Sequence, residues 1–586
     1  MTPLIAAFVA AGASPGVGKT LDRSVSVTSI NVSTGEILAG TSTDTDIAAL
    51  IADPKSLSRT AISAAICKWT PEVFTAGAGD QTAELQAFLN SLPAGRDAEI
   101  RGTADFTTLT INTPNIRLRL APGAVLNKTH ATSDGVVVNA SNVTIEGGKI
   151  KGLATWDGTN VSWTYAMIHV KESTGNNTTI RGVTLENVHK VGIGVRADAV
   201  NITDCRIVGN YPASRWTGVE VAHFGITLDP TGAGMGGAGI ISNNHIRACV
   251  QGISLANFGG AVPGYGYNIT GNSFEGCHNH GVYAQHGIGN VIDGNTFNRC
   301  QIPVVVTGKA HVVSNNTMFT SGTGARTDMT GISVREPDGC IIEGNTIFGD
   351  STATNIGISV DSLTSRVVRD TIVRGNVVKL TGHGNHGIRV GQGAEVCSGN
   401  IIEGNVLIGG GLNATGTLLV TAKTGFTGMG NIVRGNRITQ TGIGHGISIQ
   451  RQKNALVTNN HVSLQRNATA RETITQLYLD TVTDSVIAGN LLSNPPTSGA
   501  NVSLRGIQED AASNRNAIIQ NTVKHDTTLL VRSTAIFQIG GAASIHAGTV
   551  GDYASATRLG TLSGKVPYYD RAGVQRGFIP VYTSIA

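Results

Sequence analysis

The chain has 586 residues, with 76 glycines, aromatic residues at 5%, charged residues at 14% and a formal net charge of +4. This length is enough for a large core. So small a net charge, without a basic run, excludes the usual electrostatic footprint of a nucleic-acid binder. Sparse charge and abundant glycine favour turns and strands over long helices.

Met1 to Ala11 is apolar but has no basic flank, so no secretory leader is expected. The run is also too short to span a bilayer, and no membrane insertion is expected. Ala13 to Thr20 fits a loose phosphate-loop pattern, but Leu21 to Val32 then alternates like a strand. A working phosphate loop opens a helix, so neither nucleotide nor any other cofactor is expected. Residues 45–68 read as two short helices split at Pro54, and residues 1–70 form a mixed module suited to attachment or assembly.

In residues 71–108, Asp80 stands where it can cap a helix that carries Leu85, Phe88 and Leu89 on one face. Such a helix would plug the open end of a solenoid.

Coils are expected from about residue 109 to 540, and from Ile240 to Val523 one phrase recurs: an apolar residue, a spacer, Gly or Asn, then Asn, a spacer and another apolar residue. It places Asn244, Asn272, Asn295, Asn316, Asn345, Asn376, Asn405, Asn436, Asn460, Asn490 and Asn521 in equivalent positions, 21 to 31 residues apart. A fixed phrase at this period marks a repeat architecture. Most repeats also hold a Gly-apolar-x-apolar strand, as in Gly252-Ile-Ser-Leu, Gly331-Ile-Ser-Val and Gly387-Ile-Arg-Val. Gly and Asn supply the left-handed backbone of the tight turn. Each repeat is therefore read as one coil of a parallel β-helix, with coils about 4.8 Å apart and the asparagines stacked as an amide ladder.

Cys249, Cys277 and Cys300 each lie five residues past a ladder asparagine, which predicts an interior stack of small side chains. The odd total of seven cysteines argues against a disulfide framework, and no Cys-x-x-Cys metal spacing occurs. No metal site is expected. Two stretches are too long for turns, Trp156 to Tyr165 and Tyr211 to His223, and Trp216 in the second is a candidate for stacking on sugar faces. Residues 541–586 break the repeat, and Gly564 to Tyr582 reads as a β-hairpin.

The run Phe74-Thr-Ala-Gly-Ala-Gly-Asp80-Gln-Thr, followed by Leu92-Pro-Ala-Gly and Ala121-Pro-Gly-Ala-Val125, resembles the opening segment of the pectate-lyase-like β-helix superfamily. Bacteriophage tailspikes and polysaccharide depolymerases belong to that superfamily. This copy lacks the usual Asp-Asp-Thr and the usual Tyr after the Pro-Ala-Gly turn. The C-terminal hairpin is similar to short β-modules on phage tail proteins. The resemblance implies a right-handed helix and a homotrimer within a virion, attached to the phage tail or baseplate through residues 1–70. It also implies a bacterial surface polysaccharide as partner: capsule, exopolysaccharide or O-antigen. A non-catalytic receptor-binding spike and a stand-alone polysaccharide lyase or epimerase are the alternatives.

Chemistry is expected on the outer face of the Gly-apolar sheet. Counting four residues past each glycine gives a column that includes Gln285, Arg335, Asp361 and Gln450, joined by Asp480 when Gln476 takes the glycine position. Glu336 and Asp361 form the candidate catalytic pair, because carboxylates one or two coils apart fall within the roughly 5–9.5 Å used in glycoside hydrolysis. Arg335, Arg389, Tyr283, Gln285 and His286 are the candidate substrate-binding residues beside them. An endo-acting glycoside hydrolase is the first expectation and a lyase, with an arginine base, the second. The same residues also fit a plain exposed ion pair between Arg335 and Asp361. Asp480 with Tyr478, and Asp229 with Glu220 and Trp216, are rival patches.

Overall fold

The structure is a computed structural model. It describes residues 28–31, 36–39 and 71–525 apart from 154–164, 173, 189, 211–222, 229–237, 256–265, 286–287, 322–327, 352–353, 364–366, 383–385, 411–415, 441–443, 465–472 and 495–502. Beyond 525 it describes the strands at 537–538, 545–547, 550–553, 562–569 and 575–582. The phosphate-loop-like run, the helices expected at 45–68, Trp156, Trp216 and His286 lie outside the described residues. The chain divides into two compact units, Met1–Asn290 and Val291–Ala586.

In the first unit each turn of a right-handed parallel β-helix contributes one strand to each of three sheets. Thr144–Glu146 belongs to sheet 1, Lys149–Lys151 to sheet 2 and Ala166–Val170 to sheet 3. The alternation in the sequence explains the stacking. Ile145, Ile180, Ile202, Ile241 and Ile269 point inward from successive sheet 1 strands and are buried. Ile168, Ile193, Ile226, Ile253 and Val282 do the same from sheet 3. A one-residue slip would turn each of these ladders outward, so the register is strongly fixed.

The expected capping helix is present at Thr82–Ser91, with Leu85 and Leu89 buried. Asp80 lies one residue before the N-cap, Gln81, and accepts the Thr82 N–H at 3.0 Å. The Gln86 amide donates to the Thr110 carbonyl and accepts the Thr110 N–H, at 2.9 and 2.7 Å. It thereby satisfies the free edge of the strand Leu109–Ile111. Rungs also form before residue 109: Glu72–Thr75 pairs with Asp97–Arg101, which pairs with Arg117–Leu120.

The second unit repeats the plan, with an extra short ladder through Val367–Arg369, Val396–Ser398 and Gly428–Met429. Its sheet 3 core runs through Val304, Ile332, Ile358, Ile388, Leu418, Ile447, Leu477 and Ile507. The amide ladder is continuous here from Asn295 to Asn521, and each side-chain amide donates to the carbonyl oxygen of the next at 2.8 to 3.0 Å. A second donation goes to a strand carbonyl, as from Asn376 to Ile342 at 3.0 Å. Buried amides cost free energy unless bonded, and this pattern leaves none exposed to that penalty. The residue before each ladder asparagine is left-handed, for example Gly344, Gly375, Gly404 and Gly435 at φ 61 to 63°. That is why the phrase reads Gly-Asn. A shorter ladder missed in the sequence links Asn400 to Asn431 at 2.9 Å.

Cys249 and Cys277 in the first unit, and Cys300 in the second, are reduced thiols and fully buried, as the interior-stack reading expected. The C-terminal hairpin pairs Leu562–Tyr569 with Gln575–Tyr582 in antiparallel register.

Candidate active site

The outer face of sheet 3 in the second unit carries two clusters of charge. The first is built by the strands Asp328–Asp338, Thr354–Asp361 and His386–Val390. Val334, Ile358, Val360, Ile388 and Val390 occupy the core, so Arg335, Ser359, Asp361 and Arg389 alternate outward. Arg335 stands opposite Asp361, and Ser359 opposite Arg389. Arg389 donates to Asp361 Oδ2 through Nη2 at 2.5 Å and Nε at 3.1 Å, and to Ser359 Oγ at 3.1 Å. Ser359 Oγ closes the triangle by donating to the same carboxylate oxygen. Asp361 is only 9% exposed, and its Oδ1 is buried without a hydrogen-bond partner among the described residues.

Glu336 departs from the alternation. Its backbone is left-handed at φ 53°, and the register to the preceding strand shifts there from Thr307↔Arg335 to Lys309↔Asp338. One extra residue is accommodated, which is a β-bulge. Counting along the strand therefore does not carry through Glu336.

The second cluster lies on the strands Ile447–Lys453, Thr473–Thr483 and Ser503–Glu509. Ser448, Tyr478 and Gln508 align across them, as do Gln450 and Asp480. The next coil then brings Asp510 beside Asp480, close enough for each carboxyl to act on the proton affinity of the other. Burial raises the proton affinity of Asp480, and the Asp510 charge and hydrogen bond raise it further against Thr481 and Arg451. Burial also acts to raise Asp510, but hydrogen bonds from Ser513, from the Thr481 and Ser513 amides and from Asp480 outweigh it. The net effect holds Asp510 below the ordinary aspartate value. Three donors fix its Oδ1: Thr481 N–H and Ser513 N–H at 3.0 Å, and Ser513 Oγ at 2.7 Å.

Arg451 reaches to 4.0 Å from Asp480 and is itself anchored on the Ala422 carbonyl at 2.7 Å and the Thr421 hydroxyl at 2.5 Å. Beside the pair the rings of Tyr478 and His445 stack at 4.3 Å. Burial, with the Arg505 charge, pushes His445 down to about 4, so it is a neutral ring at neutral pH. Burial and the two aspartates raise the Tyr478 hydroxyl. The result is an aromatic platform next to two acids with opposed proton affinities.

Sequence reasoning reached Asp480 and Tyr478 but not Asp510. Gly506-Ile-Gln-Glu509 is the same Gly-apolar phrase, and four past its glycine is Asp510. The signal was masked by Glu509, which takes the inward apolar position. Glu509 is buried at 1% exposure, and Asn516 donates to it at 2.7 Å.

In the first unit Tyr283 projects outward between core residues Val282 and Ala284 and stacks on His280 at 4.5 Å. Gln285 is exposed just beyond it. Arg335, Asp361 and Arg389 share one face of the second unit, while Tyr283 and Gln285 belong to the first. Among the described residues no group of three or more His, Cys, Asp or Glu is placed to hold a metal. No described helix is long and apolar enough to cross a membrane.

A family model described as a right-handed beta helix region matches residues 261–423. No curated protein matches. Among solved structures, the chain is similar to the Dettilon tailspike protein at 18% identity and a TM-score of 0.39, covering 64% of this chain and 66% of that one. The chain thus spans just under two thirds of that tailspike's length. It is also similar to the tailspike of E. coli bacteriophage HK620, solved with a pentasaccharide, at 12% identity and a TM-score of 0.34, covering 93% and 84%. The family 6 alginate lyase AlyGC is similar at 10% identity and a TM-score of 0.31, covering 82% and 98%. These likenesses are to the fold.

Proposed function

We propose that this chain is a tailspike-type depolymerase that binds and cleaves a bacterial surface polysaccharide by hydrolysis, with Asp480 and Asp510 as its acid–base pair. The observation that carries the reading is this pair of accessible carboxyls whose surroundings push their proton affinities apart. Carboxyls that share a proton lie closer than the roughly 5–9.5 Å of typical glycosidase pairs. The arrangement suits a shared-proton dyad acting on one water molecule. Asp510, ionised and fixed by three donors, takes the proton of the attacking water. Asp480 delivers its proton to the departing glycosidic oxygen. Arg451 offsets charge on Asp480, and the Tyr478–His445 stack offers an apolar face to a sugar ring.

A second catalytic reading places the chemistry at Glu336 and Asp361, with Arg335 and Arg389 binding an acidic sugar. The unpartnered, buried Asp361 Oδ1 favours it. The Arg389 and Ser359 contacts weigh against it, because they already occupy the Asp361 Oδ2 atom. In the same proposal Tyr283, Gln285, His286 and Trp216 contribute to glycan binding, residues 1–70 attach the protein to a phage tail, and three copies assemble in the virion.

The test is incubation of the protein with capsular and lipopolysaccharide preparations from candidate hosts. New reducing ends without ultraviolet absorbance from an unsaturated uronate would support hydrolysis. Rising absorbance would replace it with a lyase. Binding with neither signal would leave a receptor-binding protein.

A further inference from the structure

The outer face of sheet 3 has a further column, two residues before the inward apolar residue of each coil. In the last coils of the second unit it reads His445, Thr475 and Arg505, ahead of Ile447, Leu477 and Ile507. Contacts with the column of Tyr478 and Gln508 show that it projects outward. His445 stacks on Tyr478, and the Thr475 hydroxyl donates to Gln508 Oε1 at 2.9 Å. Arg505 stands opposite Thr475, as Gln508 stands opposite Tyr478.

The arginine has no counter-ion. Arg374, Arg434 and Arg515 each meet a carboxylate one coil away. Arg505 makes no hydrogen bond or ion pair among the described residues, and its Nε is buried without a partner. The carboxyls close to it in sequence are engaged elsewhere: Glu509 accepts from Asn516, and Asp510 from Thr481 and Ser513. Burial first, and then the Arg505 charge, lower the proton affinity of His445, which places the guanidinium near the aromatic stack. The fold does not ask for a cation here. In the first unit the same column reads Ala166, Val191, Phe224, Gln251 and His280. A half-buried charge without a partner costs free energy, and an incoming anion would relieve that cost. The planar fork of a guanidinium matches a carboxylate.

Arg505 and Asp510 share one strand and its continuation, five residues apart, or about 16 Å at ~3.3 Å per residue. Tyr478 stands between those two positions on the neighbouring coil. A glycan laid across the strands would therefore meet the acid pair, the aromatic face and the guanidinium in that order.

We infer that Arg505 is a carboxylate-binding subsite, and that the polysaccharide taken by this face carries a uronate or other carboxylate on a sugar beyond the Tyr478 ring from the linkage cleaved. The inference rests on the depolymerase reading and narrows its substrate class.

The probe is the host polysaccharide retained by the full chain, compared with the same polysaccharide after its carboxyl groups are reduced to alcohols. Affinity and KM are measured for the wild type, Arg505→Gln and Arg505→Lys, with circular dichroism as the check on folding. Carboxyl reduction is expected to weaken wild-type binding by about 10–100-fold, the worth of a hydrogen bond to a charged group. Arg505→Gln should lose the same factor on the native glycan, with kcat little changed, because the contact is made equally in ground and transition states. The two losses should overlap rather than multiply when combined. Arg505→Lys, which keeps the charge without the fork, should fall between. A retained glycan without carboxylates, wild-type binding indifferent to reduction, or losses that multiply would overturn the subsite. Cleavage without carboxylate dependence would sink the subsite and leave the depolymerase. Binding that depends on carboxylate and Arg505, without cleavage, would leave the subsite and sink hydrolysis.

Discussion

Asp361 and Asp480 occupy equivalent outward positions of one sheet in the second unit, each following a buried apolar residue, Val360 and Leu479. Their surroundings diverge because adjacent strands supply different partners. Asp361 meets the Arg389 guanidinium and becomes half of an ion pair. Asp480 is driven toward holding a proton by burial and by a second carboxyl, Asp510. The comparison teaches that on a solenoid the coil fixes where a side chain projects, while the neighbouring coils fix its chemistry. A column of outward residues is thus a row of separate environments.

The strongest way to break this contrast is to remove each acid in turn. Asp480→Asn and Asp510→Asn should each lower the rate of glycan cleavage by about 10²–10⁴-fold, the usual worth of a positioned acid or base. Reducing-end assays on a cleaved polysaccharide would measure it. Glu336→Gln should leave that rate within a few-fold of wild type, and a loss as large as that of Asp480→Asn would move the site to the first cluster.

Stability should respond in the opposite sense. Arg389→Ala strands the Asp361 carboxylate, and breaking one partner of a largely buried pair costs about 3–5 kcal/mol. Chemical denaturation at neutral pH would show it, with cleavage per folded molecule little changed if Asp480 and Asp510 do the chemistry.

The smallest expected effect sharpens the comparison most. The folded-state affinity of Asp480 for its proton is raised, so its contribution favours the fold below the unfolded aspartate value of ~3.9 and is lost as pH rises through the folded value. Asp480→Asn should therefore raise Tm slightly at neutral pH, with the gain disappearing in acid. Asp510 has the reverse sign: its depressed value stabilises the fold above the ordinary aspartate range and is lost as pH falls through it. Asp510→Asn should lower Tm at neutral pH unless relief of Asp480 compensates.

Much of the fold was legible because every coil restates it. The Gly-Asn phrase records a left-handed turn residue and an amide that must find a partner in the next coil, and both constraints recur whatever else varies. The inward apolar positions of Gly331-Ile-Ser-Val or Gly387-Ile-Arg-Val are equally plain. The candidate site was legible only in part. The column rule found Asp361 and Asp480 because both strands keep the alternation. It passed over Asp510 because Glu509 occupies an inward position that an apolar residue usually holds. Glu336 was placed by counting through a bulge that no local residue type announces. The Arg389–Asp361 pairing depends on a diagonal reach between columns, which register alone does not reveal.

The central claim is that Asp480 and Asp510 share a proton unequally. Carbon-13 NMR of aspartate side-chain carboxyls, assigned through the Asp480→Asn and Asp510→Asn variants, would test it across the acidic pH range. The account predicts one resonance titrating above the ordinary aspartate value and one below it, with Asp480 moving back toward ordinary once Asp510 is replaced. Two carboxyls titrating independently at ordinary values would contradict it.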